Sequence, residues 1–199
     1  MADLEKTRKN LENRGFHAHV FATGAEAADY LAQTLHNTCI GIGGSVTIDT
    51  LGVYDRLCGS NEVFWHWKNH APETRERAGK AETNLCSANG VSEIGEIVNI
   101  DGYGNRVTGT ICGPERVFLV VGKNKLSPDL NGAIDRARNI AAPLNARRLN
   151  RHTPCAVGEP RCHDCRSPEK ICGVMTVFFM PPTSIKEFHV LLVNEDLGY

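Results

Sequence analysis

Short apolar, β-branched runs alternate with stretches of helical spacing along most of this chain. Parallel neighbours in a sheet need a crossover between them, so the alternation confines the chain to an α/β fold with a mostly parallel sheet flanked by helices. The spacing predicts a helix over residues 3–14, with Leu4 and Leu11 on one face and Gly15 as its stop. A strand is expected over Phe16–Ala22, a helix over Gly24–His36, a strand over Thr38–Ile42 and a helix from about Val46 to Cys58. Glu62–Trp67 reads as a strand and Pro72–Ala81 as a charged helix. From Leu85 onward, glycines punctuate short β-forming runs such as Ile97–Ile100 and Arg106–Thr110, the pattern of hairpins or a meander against the parallel sheet. Arg116–Val121 reads as a buried strand. Pro128–Leu144 reads as a helix with Asp129 in its first turn and Arg136 and Arg138 later, in accord with the helix dipole. Val174–Met180 and Glu187–Val193 are the expected closing strands.

The 199 residues suit one domain over 1–199, without internal repeat or linker. With 22 basic and 23 acidic residues, the net charge of −1 gives no general attraction to nucleic acid or to an anionic membrane. The longest apolar stretches, Val117–Val121 and Met175–Pro182, fall well short of the ~20 residues that cross a bilayer. Met1-Ala-Asp-Leu-Glu-Lys carries no signal-peptide core, so the expected location is the cytoplasm, where thiols stay reduced.

Eight cysteines in a reducing compartment read as buried thiols plus metal ligands. Cys155, Cys162, Cys165 and Cys172 form C-x6-C-x2-C-x6-C within a cysteine-rich segment spanning 152–173. The central pair can meet one centre from a tight turn, and the flanking loops are long enough to bring the outer two to its far side. Pro154, Gly158, Pro160 and Pro168 make the segment a loop suited to wrapping a metal. Four thiolates accept an iron–sulfur cluster, 4Fe–4S foremost, or a structural zinc, and softness alone does not separate them. His152 and His163 are close enough to replace a cysteine, although loop histidines are ordinarily solvated. Cys39, Cys58, Cys86 and Cys112 are scattered in apolar runs, as inert core thiols are.

Cys39–Thr47, CIGIGGSVT, runs from strand through a Gly-rich loop into a helix. Such a loop is either a tight turn or a place where backbone N–H groups meet an anion, with Ser45 as the helix cap and Thr47 as a further donor. It is neither the dinucleotide fingerprint nor a P-loop. Ser87, Asn89, Asn99, Asp101, Asn105 and Arg106 crowd the next polar stretch and serve either turns or a ligand. Lys123 and Lys125 follow a buried strand, where they could reach an anion or simply be solvated. Trp65-His66-Trp67, placed on a strand, would put His66 opposite both indoles. The run Arg136, Arg138, Arg147, Arg148 and Arg151 lacks interleaved aromatics and reads as a solvated helix face. Glu195 and Asp196 are either tail residues or a carboxylate pair folded onto the pocket. No hydrolase elbow accompanies Ser45.

GIGGSVT, VNIDGYGNRV, VGKNK, AAPLNARRL and VNEDLGY together resemble the LUD (lactate-utilisation) domain family over nearly the whole chain. The resemblance implies the superfold of ribose-5-phosphate isomerase, glucosamine-6-phosphate deaminase and the CoA transferases. It implies a pocket at Gly43, Gly44 and Ser45, with Asn89, Asp101 and Arg106 nearby. Relatives with the lactate label are subunits of an iron–sulfur-containing lactate oxidation system, so the expected partners are a small organic acid or phosphate-bearing ligand and iron–sulfur oxidoreductase subunits. The four-cysteine segment resembles one subgroup of that family. The leading expectation is support of lactate oxidation, with the cluster relaying electrons or holding a subunit contact. The alternatives are a stand-alone enzyme on a sugar phosphate or CoA ester with structural zinc, and a non-catalytic assembly subunit.

Overall fold

The computed structural model describes residues 3–199; Met1 and Ala2, the start of the stretch read for a leader, lie outside them. Asp3 accepts a hydrogen bond from the Lys6 amide and opens α1 (Leu4–Asn13), whose Leu11 turns into the core. The first crossover follows: β1 (His17–Phe21), then α2 (Gly24–Thr34), capped by Thr23. After β2 (Cys39–Ile42), Ser45 caps α3 (Val46–Leu51) by accepting from the Ile48 amide at 3.3 Å. The single helix expected to Cys58 is split. Gly52 sits at φ 66°, which ends α3, and α4 (Tyr54–Cys58) begins anew.

The strand expected to reach Trp67 stops at Trp65 in β3 (Glu62–Trp65), so His66 and Trp67 lie in a turn and the two indoles stack at 5.7 Å. α5 (Thr74–Gly79) leads to β4 (Thr83–Cys86), then β5 (Gly90–Ser92) and β6 (Ile97–Asp101). The run Arg106–Thr110, expected as β, is helical instead, as α6 (Asn105–Ile111). Its β-branched residues suggested a strand, but the Asp101 carboxylate accepts from the Arg106 amide and the Thr108 and Thr110 hydroxyls bond back to the preceding turn. Local capping overrides propensity here.

β7 (Arg116–Gly122) runs through a 3-10 turn at Lys123–Lys125 into β8 (Leu126–Ser127). The long helix then forms in three parts: α7 (Leu130–Arg136), a π turn at Ala137–Ala141, and α8 (Ala142–Arg148). The short α9 (Pro154–Val157), an irregular loop, β9 (Val174–Phe178) and β10 (Glu187–Val193) complete the chain.

Six strands form one all-parallel sheet in the order β1-β10-β7-β4-β2-β3. Side chains alternate across it. Phe118, Val120, Leu191 and Val193 pack towards α2, α3 and α4, while Val117, Leu119, Val121, Val190 and Leu192 pack on α1 and the second sheet. That second sheet, β8-β5-β6-β9, is mixed, and α7 with the π turn covers its other side through Val98, Ala133 and Ala137. Each fully buried Val, Leu or Phe contributes roughly 1.5–3 kcal/mol, so the doubly covered β7 and β10 anchor the fold. Among the described residues, no helix is long and apolar enough to cross a membrane.

Candidate functional site

The carboxyl ends of β2, β4 and β7 converge, which is where parallel α/β sheets offer a crevice. An outer basin of about 750 Å³ opens there, bordered by Gly44, His66, Asp101, Tyr103, Arg148 and Lys170. Beneath it lies a recess of about 40 Å³ that reaches Ser45, Thr47, Ser87, Lys125 and Tyr199. Gly44, Trp67, Arg106, Asn145 and Arg148 border both.

The floor of the recess is built around Lys125, which is only 2% exposed. Its Nζ donates to Thr47 Oγ1 at 2.7 Å and to Ser87 Oγ at 2.9 Å. Burial, with Arg136 and Arg106 nearby, pushes its pKa down to about 7. Arg136 is buried too, at 6% exposure, and donates to the carbonyls of Asn124 and Asn89. The Tyr199 hydroxyl is buried without a hydrogen-bond partner among the described residues, and burial raises its pKa. The wall is cationic. The Arg106 guanidinium is held by the Ile100 carbonyl and lies 3.6 Å from Asp101, and Arg148 covers the Trp67 ring at 4.6 Å. His66 faces the basin with its buried Nδ1 unpartnered, and burial plus Arg75 and His70 lower its pKa. A basin of this make-up suits a small anion with an apolar or ring-bearing body.

All eight cysteines are free thiols. Cys155, Cys162, Cys165 and Cys172 line one small cavity together with Arg138, Ala142, Pro143, Ala146 and Ile171. Arg138 Nη2 and the Asp164 amide point at Cys162 Sγ, at 3.3 and 3.4 Å. Burial raises the Cys172 thiol, Lys170 opposes that, and the other three thiols of the cavity add to it. Among the described residues, no three or more His, Cys, Asp or Glu side chains are drawn together tightly enough to hold a single ion. Of the two nearby histidines, His163 borders this cavity while its ring contacts the Glu159 carbonyl, and the exposed His152 pairs with Glu169 away from it.

The two places share a wall. Pro168, Glu169, Lys170 and Ile171, between Cys165 and Cys172, border the basin, and Lys170 and Ile171 also border the cysteine cavity. Gly102 makes the close approach possible, since a Cβ there would lie 2.8 Å from the Ile171 backbone. The helix of residues 130–148 serves both sides. Ala141, Asn145 and Arg148 turn to the basin and recess, while Arg138, Ala142 and Ala146 turn to the thiols.

A family model described as LUD domain matches residues 4–193. The chain belongs to the LUD domain family. Among solved structures, this LUD domain is similar to a DUF162 family protein from Deinococcus radiodurans, with a TM-score of 0.56 and 13% identity over 96% of this chain and 95% of that one. At that identity the likeness concerns the fold. No curated protein matches.

The LUD domain brings together most of the residues singled out from sequence. Gly44, Asp101, Asn105 and Arg106 border the basin, and Gly44, Ser45, Thr47, Asn89 and Arg106 border the recess. Gly43 borders a neighbouring cleft with Tyr103 and Asn105. Asp101 turns its carboxylate to the amides of Gly102, Tyr103 and Arg106, so it shapes the turn. Asn99 is fully buried away from these cavities, with its amide unpartnered among the described residues. Glu195 caps the start of α2 through the Gly24 amide, and Asp196 is exposed.

Three readings by residue type do not survive. Lys125 and Arg136 are buried, because strand and helix ends carry them inward. Cys58 and Cys112 are exposed, because each sits at a helix end. Lys125 and Tyr199 are the site residues that the sequence reading passed over or undervalued. VGKNK directly after the most apolar strand is the signal that could have found the first, since a lysine one turn beyond such a strand starts inside the core.

Proposed function

We propose that this LUD domain supports oxidation of lactate or a related small organic acid. It binds the acid at the Gly44–Ser45 loop and carries an iron–sulfur cluster on Cys155, Cys162, Cys165 and Cys172. The observation that carries the reading is the shared wall: residues 168–171 separate an anion-friendly basin from a cavity lined by four free thiols.

The donor set fits such a group. Four free thiols line one cavity, a donor set that an iron–sulfur cluster accepts. N–H···S contacts from Arg138 and the Asp164 amide would stabilise thiolates and tune the potential of a bound cluster. When bound, it would supply one-electron transfer. The chain's own residues do the rest: Arg106 and Arg148 attract and orient the acid, the Trp67 ring offers its apolar body a surface, and Lys170 borders both cavities. The partners on this reading are iron–sulfur oxidoreductase subunits that pass electrons to or from the half-exposed cysteine face.

The test is anaerobic purification, or reconstitution with iron and sulfide, followed by absorption and electron paramagnetic resonance spectra. A brown sample with stoichiometric iron and sulfide is expected. A colourless sample without iron after reconstitution overturns the cluster. A second reading rests on basin size, since about 750 Å³ exceeds what lactate fills. On that reading the ligand is a sugar phosphate or CoA ester and the thiols hold zinc. Thermal stabilisation by phosphosugars but not by lactate would select it.

A further inference from the structure

The hydrogen bonds at the floor of the recess assign a direction to every proton around Lys125. Thr47 Oγ1 donates to the Leu197 carbonyl at 3.1 Å, and Ser87 Oγ donates to the Val120 carbonyl at 2.6 Å. Both hydroxyls have thereby committed their only proton, so towards Lys125 they can only accept. Lys125 Nζ accordingly donates twice. One position on the nitrogen is left, no further partner among the described residues takes it, and Lys125 borders the recess. A neutral amine would hold its lone pair there, and an ammonium would hold a third N–H.

We propose that Lys125 is a proton-coupled carboxylate-binding residue: the carboxylate head of a small acid enters the recess as the amine takes up one proton and turns its third N–H to it. The inference rests on the anion-binding part of the proposed function and is independent of the cluster.

The surroundings favour this coupling. The charged groups facing Lys125 are Arg136 from the long helix and Arg106 from α6, with Arg148 further up the wall and the buried Cys86 thiol, pushed up to about 11, on the β4 side. Asp101, the carboxylate beside them, is already occupied by Arg106 and three amides. Empty, the recess therefore disfavours a further positive charge. An arriving anion reverses the balance, and the Tyr199 hydroxyl offers it an unused donor. The recess, at about 40 Å³, admits a group the size of a few waters. That suits a carboxylate head, with the remainder of the acid in the basin above.

The test is the NMR titration of lysine side chains labelled with 13C at Cε in the full chain, without ligand and with pyruvate, L-lactate or inorganic phosphate. Lys125→Met identifies the signal; should that variant not fold, Thr47→Val, which removes one partner, identifies it by its shift. Expected is one lysine titrating near neutrality, away from the others near ~10.4. Its midpoint should rise by at least about one unit with pyruvate or lactate, and affinity should then fall with pH between the free and the bound midpoints, by about tenfold in all for each unit of that rise. A Lys125 signal that titrates with the other lysines overturns the proposal. A neutral-range midpoint that neither acid moves overturns the proposal: if phosphate moves it, only the carboxylate assignment falls, and if none of the three anions moves it or raises the melting temperature, the anion-binding reading falls too. Iron content of the same sample is measured separately, so the cluster stands or falls on its own.

Discussion

The recess and the cysteine cavity are neighbours with opposite construction. The recess stands on strand ends, and its Lys125, Thr47 and Ser87 are buried and joined by hydrogen bonds. The cysteine cavity is walled by a loop without helix or strand from residue 158 to 173, and its four thiols are half-exposed. Ordering a residue costs roughly 1–2 kcal/mol of backbone entropy, and this loop recovers little of it through burial. The recess is therefore held by its own hydrogen bonds, whereas the cysteine loop has no helix or strand to frame it, and under the proposed function it is a bound group that would order it.

Substitution at the sulfurs should have the largest effect. Cys165→Ser should abolish stoichiometric iron and the cluster's absorption while leaving circular dichroism and the Lys125 titration unchanged. If the fold collapses with it, the two regions are one unit. Lys125→Met should weaken carboxylate binding by about 10- to 100-fold, the range of a hydrogen bond to a charged group, with iron content unchanged by the same assay.

The same variant should also change how stability depends on pH. The Lys125 pKa is depressed from 10.5 to about 7 in the folded state. Between those values the unfolded chain holds a proton that the folded one lacks, so stability rises with pH across this window. The contribution is complete above 10.5 and is lost as pH falls through 7. Its slope is about 1.4 kcal/mol per pH unit. Chemical denaturation at pH 7.5 and 9.5 should show that slope in the wild type and not in Lys125→Met. Gly102→Ala should cost about 1–3 kcal/mol, since its methyl group meets the Ile171 backbone. It should also perturb ligand affinity and cluster spectrum together, and an effect on one alone would uncouple the shared wall. The smallest effect is expected from Arg138→Gln, which removes one N–H···S contact. The protein should keep its cluster and change only its redox midpoint, read by potentiometric titration.

The fold was legible where burial enforces a period. Arg116–Val121 and Glu187–Val193 are strands because both faces of β7 and β10 are covered, and the alternation of crossovers follows from parallel pairing. It was illegible where a cap decides. Val107, Thr108 and Thr110 read as β until Asp101 turns the chain and α6 forms. In the site, the Gly-rich loop and the four cysteines carry their chemistry in their spacing. Lys125 and Arg136 do not, because the pocket that desolvates them is assembled from β2, β4, β7 and the long helix, which are remote in sequence. The same holds for Tyr199, brought to the recess by the chain's return along Asn124 and Thr47.

The helix of residues 130–148 has one consequence beyond either pocket. It is shared like an axle, with Arg148 on one flank, Arg138 on the next, and the widened π turn at Ala137–Ala141 in its middle. A few degrees of roll about that axle would tilt the cationic rim and the sulfur cage in the same stroke. Because Arg148 and Arg138 stand on one continuous backbone, a change in that helix's pitch reaches the cationic rim and the thiols together.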